Sequence, residues 1–167
     1  MKNYGILPTV ESCNALLSSL LKLNRGDIVV KFYKEMQRSR ISLNVFTFNM
    51  VVAGYCKLEK LEKAVAIFKE MENLGFNPTI ALYNMLIGGY CKQGLLSSAM
   101  KLKDSMVRNG VQPSEITYNT RIHGLCKEGK LPEANKIFNE MKGVNLTPNT
   151  VTYNTLINGY YLLDLNI

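Results

Sequence analysis

Along this chain, apolar residues recur at helical spacing, and the pattern stops and restarts at fixed intervals. From Thr117 to Lys127, Tyr118, Ile122, Leu125 and Cys126 share one helical face. Gly129 marks a turn, and Leu131, Ala134, Ile137, Phe138 and Met141 draw a second apolar stripe. Thr117 is placed to cap the first helix, its hydroxyl accepting from a free amide of the first turn. Pro132 suits the start of the second, where no amide hydrogen is needed. Pro148 forces extended backbone before it and closes the pattern. The same helix, turn, helix reading runs through 82–109 and 47–73.

The restarts are strictly periodic. Asn14, Asn49, Asn84, Asn119 and Asn154 lie 35 residues apart, as do Met1, Met36, Met71, Met106 and Met141. Further columns are Cys56, Cys91 and Cys126; Lys22, Lys57, Lys92 and Lys127; Gly54, Gly89, Gly124 and Gly159. Pro8, Pro78, Pro113 and Pro148 form another, with Leu43 in the missing slot. The units are 10–44, 45–79, 80–114 and 115–149, with 1–9 as the tail of a preceding repeat and 150–167 as the first helix of a fifth, truncated one. Helices of about 11–14 residues are too short to be stable alone in water. Each pair can bury its two apolar faces only against neighbouring pairs. The expected fold is therefore all-α: a right-handed α-solenoid of stacked antiparallel helix pairs.

Composition narrows the class. A content of 47% hydrophobic and 20% charged residues excludes disorder, and 12 Gly with 5 Pro excludes a collagen-like chain. No apolar run reaches the roughly 18 residues of a membrane span. The formal charge of +7 fits a polyanionic partner. No Ser/His/Asp set, phosphate-cradling Gly loop or carboxylate pair is visible, so neither an enzyme nor a cofactor nor a small-molecule substrate is expected.

Four cysteines in a short chain suggest disulfides, but three of them occupy one slot of successive repeats. That separates them by roughly 9–10 Å, given helix packing distances, beyond disulfide reach. Buried free thiols are expected instead. His123 and Cys126 lie one helical turn apart but lack the further ligands of a zinc site. The methionine column reads as core, as do Tyr33, Phe68 and Phe138, with Lys103 breaking that aromatic column.

The segments VTYNTLINGY (151–160), ITYNTRIHGLCKEGKLPEANKIFNEM (116–141) and LYNMLIGGYCKQGLLSSAMKL (82–102) resemble the pentatricopeptide repeat. Tetratricopeptide repeats have a different period and a Trp-containing pattern, and this chain has no Trp. Uniform 35-residue repeats resemble the P class of the family, abundant in plants. The resemblance implies binding of single-stranded RNA, one base per repeat, in mitochondria or alternatively chloroplasts, serving RNA processing, stability or translation. Some relatives resemble this chain and act instead as protein-binding scaffolds in organellar ribosomes. Residues 1–9 keep the repeat register, so no transit peptide is expected in them. The apolar end formed by Tyr161, Leu162, Leu163, Leu165 and Ile167 is expected to drive self-association.

The resemblance also implies which residues read bases. The first-helix asparagine meets the Watson–Crick edge, and the last residue of the repeat tunes the choice. The pairs are Asn14 with Asn44, Asn49 with Thr79, Asn84 with Ser114, and Asn119 with Asn149; Asn154 lacks a partner in this chain. The wedge positions are Glu11, Phe46, Ala81, Ile116 and Val151, of which Glu11 is unsuited by charge. By the family pattern, Asn with Ser favours cytosine, and Asn with Asn or Thr accepts either pyrimidine. The chain then reads Y-Y-C-Y, 5′ to 3′ along its N-to-C direction. Lys22, Lys57, Lys92 and Lys127 are candidate phosphate contacts, or else favour the negative end of the helix they terminate.

Overall fold

The computed structural model of the protein describes residues 8–164, which hold nine helices and no strand. The chain divides at Pro78 into two compact units. The first contains α1 (Val10–Lys22), α2 (Gly26–Arg38), α3 (Val45–Lys57) and α4 (Leu61–Asn73). Here α1 packs on α2 and α3, and α3 packs on α2 and α4. The second contains α5 (Ile80–Lys92), α6 (Leu96–Arg108), α7 (Glu115–Lys127), α8 (Leu131–Gly143) and α9 (Thr150–Asp164). There α5 packs on α6 and α7, and α7 on α8 and α9. In each unit the odd-numbered helices lie side by side, and an even-numbered helix backs each one. The helices recur every 35 residues, as in a helical-repeat solenoid.

The helix starts follow one design. Thr9, Asn44, Thr79, Ser114 and Asn149 precede the odd-numbered helices. Thr9 and Thr79 accept from the Ser12 and Leu82 N–H groups through their hydroxyls. Asn44 and Asn149 accept from the Thr47 and Thr152 N–H groups through their side-chain carbonyls. This corrects the reading of Thr117 as the cap. Ser114 precedes the helix, and Thr117 sits at its third position, where its hydroxyl accepts from the Ser114 N–H at 3.1 Å. Proline and hydrophobic periodicity locate a helix start only to within a few residues, and a polar pair three residues apart is what resolves it.

The turns repeat as well. Asn24, Glu59, Gly94 and Gly129 adopt positive φ after the odd-numbered helices, and Arg40, Gly75, Gly110 and Asn145 do so after the even-numbered ones. Each sits just past a helix end, where left-handed backbone lets N–H groups return to the last free carbonyls. Gly129 donates to Cys126 in this way, and Asn24 to Leu21.

The core of each unit is built from the repeating columns. Met36, Met71, Met106 and Met141 are fully buried, and so are Ala64, Ala99 and Ala134. Tyr33 and Phe68 are buried, while Phe138 is partly buried against the cluster of Ile137 and Met141. Cys13, Cys56, Cys91 and Cys126 are free thiols. Lys103 departs from the aromatic column, and Arg121 from a column otherwise filled by Leu16, Val51, Leu86 and Leu156. Both departures converge on one carboxylate. Lys103 Nζ lies 3.2 Å from Glu140 Oε1, and Arg121 Nη1 lies 3.5 Å from Glu140 Oε2. Arg121 is buried, so the pairing offsets a charge that burial alone would make costly.

Candidate functional site

Asn14, Asn84 and Asn119 lie one turn inside their odd-numbered helices, near the start of the next odd-numbered helix of the same unit. In the first unit, Asn14 Nδ2 donates to Asn44 Oδ1 at 3.1 Å, and Asn14 Oδ1 accepts from the Thr47 hydroxyl at 2.8 Å. In the second unit, Asn84 Oδ1 accepts from the Thr117 hydroxyl at 2.7 Å, and Thr117 in turn accepts from Ser114 N–H. Asn119 Oδ1 accepts from the Thr152 hydroxyl at 2.7 Å, and its Nδ2 points to Asn149 Oδ1 at 3.5 Å. Within a unit, the first-helix asparagine and the last residue of its repeat are thus brought together. Asn49 and Thr79 belong to different units. Asn154 is exposed on α9.

A cleft of about 410 Å³ opens between α7 and α9 at this level. Asn119 and Asn149 lie at its polar side and Ile116 and Val151 at its apolar walls. Ile116 is 64% exposed and Val151 59% exposed, a placement that wastes apolar surface unless a flat group comes between them. Phe46 and Ala81 are likewise exposed at the equivalent positions, and so is Glu11. The arrangement offers amide donors and acceptors at the edge of a slot with apolar faces. Such a slot suits a planar heterocycle held on both faces and read along one edge.

The lysine column sits at the last turn of the first helices, and all four members are exposed. Lys57 Nζ donates to the Leu21 carbonyl at 2.8 Å and to Asn24 Oδ1 at 3.2 Å, so it closes the carbonyl end of α1. Lys92 and Lys127 line a smaller cleft with His123 and Thr120. Along α9, Tyr161 and Leu162 are exposed at the C-terminal end. Leu165 and Ile167 lie outside the described residues, as does the side chain of Leu163.

Two features of the site escaped the reading of the sequence. Glu115 shares the α7–α9 cleft, and its Oε2 accepts from Asn149 Nδ2 at 2.8 Å. Val10, Val45 and Ile80 precede it in its column and Thr150 follows, so a charged residue after three apolar ones was the available signal. The second is the threonine that bonds Asn14, Asn84 and Asn119. Thr47, Thr117 and Thr152 form their own 35-residue column, interrupted by Leu82.

Comparison with known proteins agrees with the geometry. The model of the PPR repeat family matches residues 8–57, 43–81, 78–127 and 113–161. A mitochondrial pentatricopeptide repeat-containing protein of Arabidopsis thaliana is 62% identical over 47 residues, which is 28% of this chain and 9% of that protein. A second mitochondrial one from the same plant is 43% identical over 51 residues, or 30% of this chain and 8% of the relative. The matched stretches therefore cover under a tenth of the length of these curated relatives. The crystal structure of the pentatricopeptide repeat protein PPR10 from maize superposes with a TM-score of 0.75 at 29% identity, over 93% of this chain and 22% of that one. The PPR domain of Arabidopsis protein-only RNase P 1, solved with tRNA, shares the fold with a TM-score of 0.77 at 17% identity, over 94% and 83% of the two chains.

Proposed function

Because the chain belongs to the PPR repeat family, we propose that it binds single-stranded RNA, one base per repeat, with a pyrimidine at each unit and cytosine at the third. The observation that carries this reading is the α7–α9 cleft, where two amide side chains face a slot walled by exposed Ile116 and Val151. An apolar slot takes a base by its faces, and amides at its rim take it by its edge. The excess of positive charge supports a polyanion in the same place.

The two mitochondrial relatives support a mitochondrial setting, in which such binding serves processing, stability or translation of a transcript. Four units hold few bases, so this chain alone binds weakly and owes its specificity to the order of the pairs. The third unit gives the sharpest test. Ser114 stands beside Asn84, and its Oγ is buried without a hydrogen-bond partner. Replacing it with aspartate supplies an acceptor for the N3–H of uracil. Ser114→Asp should move the third-base preference from cytosine toward uracil, and an unchanged preference would sink the assignment.

A further inference from the structure

We infer that Thr47, Thr117 and Thr152 are positioning residues that set which end of the reader amide faces the RNA. The inference rests on the base-reading assignment just made. It deepens that assignment by naming the atom presented.

The argument turns on what a threonine hydroxyl has to give. It carries one hydrogen and two lone pairs. At each of these positions a lone pair is engaged by the N–H of the residue before the helix: Asn44 N–H to Thr47 at 3.4 Å, Ser114 N–H to Thr117 at 3.1 Å, and Asn149 N–H to Thr152 at 3.1 Å. The hydroxyl hydrogen must then be donated. In all three cases its shortest acceptor is the side-chain oxygen of the asparagine 33 residues earlier, at 2.8, 2.7 and 2.7 Å. The threonines are fully buried, so water does not compete for that hydrogen.

An amide whose oxygen is held this way turns its Nδ2 the other way. Asn14 and Asn119 show it, each directing Nδ2 toward the side-chain oxygen of its partner asparagine. The group left to meet a base is then an N–H donor. Both pyrimidines offer an acceptor to it: O2 in either, and N3 in cytosine alone. Asn49 is the exception in the column. Its Oδ1 makes no hydrogen bond, and the residue 33 positions on is Leu82, which has no hydroxyl. Of the four asparagines that have a residue 33 positions on in this chain, three are locked and Asn49 is not.

The test uses the whole chain, the third unit and RNA oligomers varied at the third base. Thr117→Val removes the hydroxyl and keeps the shape; Thr117→Ser keeps the hydroxyl. The valine variant should lose about fivefold of the cytosine-over-uracil preference at the third base, the equivalent of one net hydrogen bond. The serine variant should restore it, and preferences at the first and fourth bases should stay as they are. A valine variant that discriminates like the parent, while the parent does discriminate, overturns the inference.

Should the valine variant fail to fold, Asn84→Asp provides the second route. It keeps Thr117 and turns the outward atom from donor to acceptor. It should abolish the preference for cytosine over uracil, and retention of that preference overturns the inference. A readout without RNA separates the two claims. Nitrogen relaxation of the Asn84 side-chain amide should show an ordered group in the parent and the serine variant, and a mobile one in the valine variant. Equal mobility in all three removes the lock whatever the RNA result. No base preference in the parent, together with an ordered amide, removes the reading and leaves the lock.

Discussion

Gly124 of α7 faces Cys91 of α5 so closely that a Cβ added to the glycine would lie 2.3 Å from the cysteine Cβ. Gly159 of α9 stands in the same relation to Cys126, with an added Cβ 2.7 Å from the cysteine Cβ and 2.6 Å from its Sγ. In both pairs a glycine on one first helix packs against a thiol on the first helix before it, whereas Gly54 meets Val29 of α2. Gly124→Ala must push the helices apart or force Cys91 aside. A loss of about 2–3 kcal/mol is expected, at the upper end of what overpacking costs, read as a lower denaturant midpoint. Gly143, which has nothing within 4 Å of such a Cβ, provides the control: Gly143→Ala should not destabilise.

The cysteines also make the fold sensitive to alkali. Burial pushes the Cys56 and Cys91 thiols from an ordinary 9.0 up to about 11, with Arg121 opposing the shift slightly at Cys91. The folded chain then holds these protons more tightly than the unfolded chain. Their contribution to stability is complete below pH 9.0 and is lost as the pH rises toward about 11. Denaturant midpoints measured across that window should fall less steeply for Cys91→Ala than for the parent. At pH 7.5, alkylation of these thiols should be slow in the folded protein and fast in urea.

Glu115 places a carboxylate in the α7–α9 cleft, the slot proposed to take a base. It holds Asn149 in place but opposes a polyanion. Glu115→Gln keeps a side-chain oxygen for Asn149 Nδ2 and removes the charge. RNA affinity should rise about fivefold at low salt, the scale of one exposed charge–charge contact, and the gain should shrink as salt is added. Equal affinities at low salt would show that the carboxylate does not face the strand.

The fold was legible because each helix is weak alone and must repeat to be stable. Columns such as Met36, Met71, Met106 and Met141 therefore recur without an insertion. The asparagine column was legible for the same reason, while Asn44, Thr79, Ser114 and Asn149 were singled out only by the resemblance to the family. Less visible were relationships that join residues across a repeat boundary. Thr117 looked like a cap because it is a hydroxyl residue at a helix start. Its other bond, to Asn84, spans 33 residues and has no local signature. The bonds from Lys103 and Arg121 to Glu140 span 37 and 19 residues and have no local signature either. Arg40 and Glu59 occupy left-handed turns that glycine fills at equivalent positions, so composition alone did not mark them.

The most direct measurement compares affinity for an RNA oligomer containing CCCC with affinity for an A-run of equal length, at several salt concentrations. Both affinities should fall as salt rises, because phosphate contacts release counterions. The preference for the pyrimidine strand should persist, because base contacts carry it. Equal affinity for the two strands at every salt concentration would leave only charge attraction and contradict one-base-per-repeat reading.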